Sequence, residues 1–334
     1  MQCYYPLRAL WYGEMTDKGK KKYLIIGEKN AKEMSNKAFK TPIEEEQVPC
    51  GKCLACRLNY SKEWAQRCML EAKEYEHNAF ITLTYDPEHI SMKLGANRET
   101  GEVEMVGTLV PEDLTKFMKD LRRYYKYHFN HDNIRFYACG EYGPQTHRPH
   151  YHLIVFNLPI PDKEEFFTNA NHDKVYTSKI IDEIWGKGLT SVGEVTWNSA
   201  AYVARYVMKK IKGPNAKDLY EKMGIVPEFV RMSRKPGIAR NYYEENKDKI
   251  YELDEIIMPG KKGVAQVVKP ARYYDKLYDL DEPEKMKALK EKRKQLAEEI
   301  MAIKLGKTSL NKKEYLKVCE ANKEAQIKSL KRVI

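Results

Sequence analysis

Long apolar runs are missing from this chain: no stretch approaches the roughly 18 residues that a membrane-spanning helix needs. The N-terminal segment, MQCYYPLRALWYGEM, has no basic region followed by an apolar one, so no signal peptide is expected. No internal repeat of useful length occurs either. These absences predict a protein without a membrane partner.

Cysteines are few and odd in number, seven in 334 residues. Without a secretory signal, a disulfide framework is not expected. The cysteines point instead to metal binding, or to buried thiols, in a reducing compartment.

Apolar residues make up 42% of the chain and charged residues 32%, which is enough for a sizeable core and excludes a wholly disordered protein. The length predicts one or two domains. The net charge of +11 favours a polyanionic partner, either nucleic acid or an anionic membrane surface. Residues 285–334 hold 15 Lys/Arg against 6 Asp/Glu, so most of this charge belongs to the C-terminal tail.

The spacing of apolar residues predicts an α+β fold. Strands are predicted at 80–85, 134–139, 150–156 and 189–196, and helices at 57–77, 111–129, 178–185 and 198–211, the last one capped by Asn198 or Ser199. The order β-α-β-β-α-β-α is typical of an antiparallel sheet with helices on one face, the ferredoxin-like or split β-α-β arrangement. Charged helices are predicted at 283–304 and 311–331, and irregular structure at 13–48 and 90–108.

Two histidines alternate along the third predicted strand. His150 and His152 point to one face because side chains alternate with period two, although such a pair is by itself most often a surface hydrogen-bonded one. The preceding strand ends at Gly140, and a tight turn would bring Glu141 beside the histidines. A carboxylate and two imidazoles with open positions suit Mg²⁺ or Mn²⁺ acting on a phosphodiester. Zinc would more often be closed by a fourth protein ligand.

The last predicted helix of this region carries a stripe of tyrosines and lysines. Tyr202, Tyr206, Lys209 and Lys210 follow i, i+4, i+7 and i+8. The ordinary interpretation is an amphipathic helix with two packing tyrosines and a solvated basic end. A tyrosine, with a pKa of about 10, becomes a useful nucleophile only where a metal polarises the phosphate and a cation supports the developing charge. This chain has candidates for both.

Three motifs in this order resemble those of the HUH endonucleases, the rolling-circle replication initiators named for two histidines around a bulky residue. The motifs occupy residues 80–85, 150–152 and 202–210. The resemblance is closer to the initiators of Microviridae, the gokushovirus group in particular; it covers roughly residues 48–212, and residues 232–238 also look like that group. In that family two tyrosines four residues apart form the active pair, as at Tyr202 and Tyr206. Glu141 stands nine residues before His150, like the third metal ligand of some related viral initiators.

The resemblance implies an enzyme that nicks the viral-strand origin of single-stranded or replicative-form phage DNA. One tyrosine would form a 5′-phosphotyrosine and free a 3′-hydroxyl, and the second would allow the displaced strand to be religated into a circle. Lys209 and Lys210 would offset charge on the phosphate or the leaving oxygen. The expected partners are single-stranded DNA, origin DNA, and the host replication helicase and polymerase. The expected location is the cytoplasm of a bacterial host.

A third feature is a cysteine cluster near the N-terminus. Cys50, Cys53 and Cys56 form two overlapping C-x2-C pairs and are predicted to hold a structural Zn²⁺, with Cys3, Cys68 or a histidine as fourth ligand. The spacing also resembles part of a ferredoxin motif, but the usual fourth cysteine followed by proline is absent. An iron–sulfur cluster and metal-free packing therefore stay open.

These features together predict four segments: an N-terminal region with the cysteine cluster (1–78), an HUH endonuclease core (79–213), a mixed accessory region (214–282) and a basic helical tail (283–334). Three other functions are weighed against the initiator. An HUH transposase or relaxase would share the chemistry, although the tyrosine pair argues against single-tyrosine transposases. A zinc-containing nucleic-acid-binding protein without catalysis predicts that Tyr202 and Tyr206 pack inside the core. A histidine-triad hydrolase is disfavoured because Arg148 and Pro149 break the alternation of histidines.

Overall fold

The computed structural model describes residues 2–17, 21–26, 41–97, 100–143, 145–169, 172–206, 215–259 and 265–329. Over these ranges the chain is α+β, with nine α-helices and antiparallel sheets, which confirms the predicted class. Two compact units are present: one holds the residues up to Asn59 together with those from Lys294 onward, and the other holds Tyr60–Arg293. No helix within the described ranges is both long enough and apolar enough to cross a membrane. The division into four functional segments stays a prediction.

The first unit contains a three-stranded antiparallel sheet in the order β2-β1-β3. Its strands are β1 (Leu7–Met15), β2 (Lys21–Ile25) and β3 (Glu44–Val48). The prediction of irregular structure for residues 13–48 is therefore wrong for the parts that the structure describes. The strand β3 reads Glu-Glu-Glu-Gln-Val, and all of its side chains lie at least partly in solvent. Its pairing depends on β1, including the ion pair between Arg8 and Glu45, so no apolar alternation marks it in the sequence.

The C-terminal helices are α8 (Pro283–Leu305) and α9 (Lys312–Ser329), which confirms both predicted charged helices. Asn311 caps α9, because its side-chain oxygen accepts hydrogen bonds from the backbone N–H groups of Lys313 and Glu314. Glu314 in turn accepts from the Asn311 N–H, which completes a reciprocal cap. Within the first unit, Met301 and Leu316 of these helices pack against the cysteine segment.

The second unit is built on a seven-stranded sheet in the order β12-β7-β8-β4-β11-β10-β9, and all its neighbouring strands are antiparallel. Its strands are β4 (Asn78–Thr84), β7 (Arg135–Tyr142), β8 (Pro149–Phe156), β9 (Glu164–Thr168), β10 (Lys174–Thr177), β11 (Thr190–Gly193) and β12 (Phe229–Met232). The helices along it are α1 (Leu54–Ala72), α2 (Pro111–Phe129), α3 (Lys179–Trp185) and α4 (Trp197–Tyr206). The order β4, α2, β7, β8, α3, β11, α4 confirms the predicted one.

Helices contact both faces of this sheet, whereas the sequence pattern predicts them on one. Ile81 and Leu83 of β4 face α2 and α3, in a cluster that includes Leu114 and Trp185. The opposite face, with Ile154 of β8, packs against residues of α1 and α4. The predicted arrangement accounts for α2 and α3. The second layer arises because β7 and β8 are apolar at successive positions, and a strand that is apolar on both sides must be covered on both.

A hairpin of β5 (Ser91–Ala96) and β6 (Val103–Thr108) lies between β4 and α2, so the prediction of a loop over 90–108 is wrong. That prediction rests on the glycines of this segment. A Cβ on Gly95 would lie 2.2 Å from the carbonyl oxygen of Met223, so glycine is needed there for close approach of two backbones. Gly101, with φ of +76°, lies in the turn between the strands.

The remaining elements of the second unit extend the layer over the histidine face of the sheet. They are α5 (Ala216–Lys222), α6 (Arg240–Leu253), β13 (Ile256–Pro259), β14 (Ala265–Val268) and α7 (Arg272–Asp281). Tyrosines join α6 to α7: the rings of Tyr251 and Tyr278 stack with centroids 3.8 Å apart, and Tyr243 and Tyr274 are fully buried beside them. Much of the high tyrosine content therefore serves ordinary packing.

Candidate active site

The candidate site lies on three adjacent strands of the large sheet. In the β7–β8 ladder Glu141 is directly opposite His150, and in the β4–β8 ladder Thr82 is directly opposite His152. Residues opposite one another in an antiparallel pair project to the same face. The hairpin therefore brings the carboxylate and both imidazoles together, as the spacing in the sequence predicts.

The three side chains converge on one point. The Oε1 atom of Glu141 lies 2.9 Å from Nε2 of His150 and 3.0 Å from Nε2 of His152. The candidate ligand atoms all lie within 4.8 Å of one another. Glu141 and His152 are buried, whereas His150 lies at the rim and is partly exposed. One side of the group is thus open to an incoming ligand.

The outer nitrogens of both imidazoles have partners of their own. Nδ1 of His150 lies 3.1 Å from the carbonyl oxygen of Arg148, and Nδ1 of His152 lies 3.0 Å from Oγ1 of Thr82. These contacts orient the rings so that each Nε2 is directed at Glu141. The sequence patterns do not single out Thr82. Its signal is the same alternation in β4, which puts Thr82 on the face opposite to Ile81 and Leu83.

The donor set fits a divalent cation. A carbonyl can only accept a hydrogen bond, so His150 donates its proton from Nδ1 and, when neutral, presents the lone pair of Nε2 to the Glu141 carboxylate. Two such acceptors repel each other unless a proton or a cation lies between them. One carboxylate and two imidazoles are a ligand set that Mg²⁺, Mn²⁺ and other divalent ions accept.

Electrostatics keep the carboxylate charged. Burial alone would raise the pKa of Glu141, but the hydrogen bonds from His150 and His152 and their charges outweigh burial and lower the pKa to about 2. The group is therefore an anion at neutral pH, which is the form that a metal requires.

Helix α4 brings a tyrosine to this group. The predicted caps Asn198 and Ser199 are displaced by Thr196, whose side chain accepts from the backbone N–H of Ser199 at 3.1 Å. The helix so placed puts the ring of Tyr202 edge-on to the ring of His152, with centroids 5.1 Å apart. Phe80 stacks on the same histidine at 5.7 Å. The partly buried Tyr202 thus borders the carboxylate and the two imidazoles.

The rest of the tyrosine stripe is less fully described. Tyr206 is the last residue of α4 in the structure, and its side chain lies outside the described part. Lys209 and Lys210 lie outside the described residues, as does the predicted end of the helix near residue 211. The roles expected of these three residues stay predictions.

The cysteines predicted to hold zinc do come together with a fourth. Cys3, Cys50, Cys53 and Cys56 place their sulfurs within 4.8 Å of one another in the first unit. Cys68 is not part of this group: it is fully buried in the core of the second unit. Among the described residues, no histidine belongs to the group.

Comparison with known proteins places this architecture among phage proteins. A family model for replication-associated proteins of the ORF2 type matches residues 78–211, the span that holds β4, the Glu141–histidine group and α4. The chain is 38% identical over 262 residues to the "Replication-associated protein ORF2" of Spiroplasma virus 4, covering 77% of this chain and 76% of the relative.

Two further phage relatives cover different shares of the chain. The "Replication-associated protein VP4" of Bdellovibrio phage phiMH2K is 29% identical over 306 residues, covering 89% of this chain and 85% of the relative. The "Replication-associated protein ORF4" of Chlamydia phage 1 is 35% identical over 167 residues, covering 49% of this chain and 38% of the relative. No solved structure matches the chain.

Proposed function

This chain belongs to the family of phage replication-associated proteins, and we propose that it initiates rolling-circle replication by nicking and later rejoining the viral strand at its origin. The observation that carries the proposal is the edge-on contact, 5.1 Å between ring centroids, of Tyr202 with His152. A nucleophile candidate, a carboxylate and two imidazoles thus share one face of the sheet. The DNA substrate would be single-stranded or locally extruded, because a phosphate within a duplex is hard to seat in such a site.

The proposed cofactor is Mg²⁺ or Mn²⁺, held by Glu141, His150 and His152. When bound, the ion would supply Lewis-acid polarisation of a phosphodiester oxygen. The protein's own part is to fix the ligands: Thr82 and the Arg148 carbonyl hold the rings, and the paired strands hold the carboxylate. The stacked ring of Phe80 restricts His152 further.

The proposed reaction is a transesterification. The Tyr202 hydroxyl oxygen attacks phosphorus, the bond between phosphorus and the 3′ oxygen breaks, and the proton lost by the phenol is balanced by one taken up at that oxygen. The products are a 5′-phosphotyrosine and a 3′-hydroxyl. The energy of the ester bond is kept in the phosphotyrosine, so attack by a later 3′-hydroxyl rejoins the strand without ATP.

Tyr206 is proposed as the second nucleophile. Four residues at a rise of 1.5 Å place its Cα about 6 Å along the axis from that of Tyr202. One tyrosine would hold the 5′ end of the displaced strand while the other cleaves the regenerated origin. Lys209 and Lys210 are proposed to offset charge on the phosphate or the leaving oxygen.

The proposed partners follow from this reaction. The free 3′-hydroxyl is a primer for the host polymerase, and displacement of the old strand requires the host replication helicase. The proposed place of action is therefore the cytoplasm of the bacterial host, where phage DNA is copied. The tail, with its net charge of +9, would add non-specific affinity for DNA through counterion release.

The test is covalent capture of DNA. The full chain is incubated with labelled circular single-stranded phage DNA and Mn²⁺, and the products are separated under denaturing conditions. We expect a protein–DNA adduct that survives SDS, that needs the divalent ion, and that maps to Tyr202 or Tyr206 by mass spectrometry.

Two controls make the result specific. Replacement of the exposed Tyr127 on α2 by phenylalanine removes a hydroxyl far from the histidines in sequence and should leave the adduct yield unchanged. EDTA should abolish the adduct. Tight DNA binding without any adduct would contradict the proposal and favour a non-catalytic nucleic-acid-binding protein. An adduct on transposon or plasmid-transfer ends, with none on phage DNA, would favour a transposase or relaxase.

A further inference from the structure

The cysteine group of the first unit is separate from the candidate active site and has no part in the proposed reaction. Its members come from two distant segments: Cys3 precedes β1, while Cys50, Cys53 and Cys56 lie around the start of α1. The sulfurs of Cys3 and Cys53 are 3.8 Å apart, although fifty positions separate the two residues. Three of the four cysteines are buried, and Cys50 is partly exposed.

Backbone N–H groups surround the sulfurs. The N–H of Cys50 donates to the Cys3 sulfur at 3.3 Å, and the N–H groups of Lys52 and Cys53 donate to the Cys50 sulfur at 3.4 and 3.3 Å. A neutral thiol is a weak acceptor, whereas a thiolate is a good one. A ring of amide donors around grouped sulfurs therefore favours the deprotonated form, which is the form that binds metals.

A disulfide does not account for the group. All seven cysteines are free, and 3.8 Å is well beyond the roughly 2.05 Å of a sulfur–sulfur bond. Any pairwise oxidation would also leave two of the four sulfurs unused. All four lie at mutual distances suited to ligating one ion.

The surrounding core is too small to explain the burial of so many thiols. Among the described residues, the hydrophobic cluster here holds seven buried residues, and three of them are Cys3, Cys53 and Cys56. Small folding units that lack a sufficient apolar core commonly use a metal to hold distant segments together. Here such a metal would join the segment before β1 to the start of α1.

We propose that Cys3, Cys50, Cys53 and Cys56 bind one zinc ion as a closed structural centre. Four thiolates in tetrahedral geometry are a ligand set typical of structural zinc. Cys3 supplies the fourth ligand, for which the sequence offered Cys3, Cys68 or a histidine. The centre leaves no position for substrate, so its role is to stabilise the first unit.

The test uses the full chain purified without added metal. Elemental analysis should find zinc, and a thiol-blocking mercurial should release about one zinc per chain, as a single closed centre requires. After exchange with Co²⁺, the spectrum should show thiolate-to-cobalt charge transfer together with the visible bands of tetrahedral cobalt. The Glu141–His150–His152 group has no thiolate and cannot give the charge-transfer signal, so failure of the proposed nicking activity and failure of this proposal are distinguished.

Single variants separate the four ligands from other cysteines. Cys3→Ser should abolish the mercurial-releasable zinc. Cys319→Ser is the matched control, because Cys319 packs against the same cluster without belonging to the four. It should keep the full zinc content and the full cobalt spectrum.

Other outcomes overturn the proposal. Iron with acid-labile sulfide would identify an iron–sulfur cluster, and a wild-type chain free of metal would identify packing thiols. Retention of zinc by Cys3→Ser would exclude Cys3 as a ligand. If Cys3→Ser fails to fold, the number of thiolates bound to cobalt in the wild-type chain still decides, since fewer than four contradicts the proposed centre.

Discussion

Glu141 and His150 face each other directly across the β7–β8 ladder, with Oε1 of the first 2.9 Å from Nε2 of the second. His152 lies on the same face one pleat further along β8 and contacts the same oxygen. A slip of one residue in this register would turn Glu141 to the opposite face of the sheet. The pairing of a single hairpin therefore sets the geometry of the candidate metal site.

Glu141→Gln should abolish metal binding at this group. Glutamine keeps the shape of the side chain but removes the anion that the lowered pKa maintains at neutral pH. For the wild-type chain, Mn²⁺ at a hundred times its Kd should raise the free energy of unfolding by about 2.7 kcal/mol. The variant should show no such rise when its melting temperature is measured with and without Mn²⁺. The exposed Glu112→Gln on α2 serves as control and should respond like the wild type.

Thr82→Val should weaken metal binding without removing a ligand. Thr82 contacts Nδ1 of His152 at 3.0 Å, and valine keeps the branched shape while losing the hydroxyl. Loss of such an orienting partner typically costs about 10- to 100-fold in metal affinity. The measurement is the Mn²⁺ concentration that gives half-maximal nicking.

Thr84→Val is the matched control on the same strand. Its hydroxyl donates to the Leu189 carbonyl at 2.8 Å and to no histidine ring in the described contacts. It should leave the Mn²⁺ requirement unchanged. An equal shift in both variants would show that β4 acts through general stability and that Thr82 does not position His152.

Phenylalanine substitutions test the tyrosine pair. Either Tyr202→Phe or Tyr206→Phe should still form one adduct on an origin oligonucleotide, since the remaining hydroxyl can attack. Neither should release closed circles in a full replication cycle, because two nucleophiles must alternate. The double variant should form no adduct and melt near the wild-type temperature, since both rings are kept.

The location of any residual adduct decides whether the helix is correctly assigned. An adduct of the double variant, mapped by mass spectrometry to a different tyrosine, would move the active pair away from α4. Loss of folding in Tyr202→Phe would instead assign that hydroxyl a structural role.

Glu71→Gln should destabilise the second unit strongly. Glu71 and Arg135 form a buried ion pair whose side chains are 2% and 8% exposed, and Arg135 also donates to the Pro236 carbonyl. Removal of the carboxylate leaves a buried cation without its partner anion, which typically costs about 3–5 kcal/mol. Denaturant unfolding of the full chain measures the change.

The surface pair of Lys126 and Asp132 provides the contrast. Its side chains are mostly exposed, so solvent and salt screen the interaction. Asp132→Asn should leave the unfolding curve unchanged. Similar curves for Glu71→Gln and Asp132→Asn would show that the buried pair adds no more stability than the exposed one.

Local patterns in the sequence predicted the parts of this protein that depend on period and spacing. The alternation in 150–156 placed His150 and His152 on one face, and the apolar spacing of 111–129 predicted α2 with its boundaries. Both helices of the tail were equally visible. The order of strands and helices in the core followed from the same patterns, because each element shows its own period within a few residues.

The tertiary structure alone decided which residues meet across long separations. Thr82 reaches His152 across seventy positions, and Cys3 reaches Cys53 across fifty. The second helical layer and the β5–β6 hairpin were also missed, since a glycine needed for close backbone approach looks like a loop glycine in one dimension. Strand register and side-chain packing are cooperative properties of the whole fold, and no short window of sequence contains them.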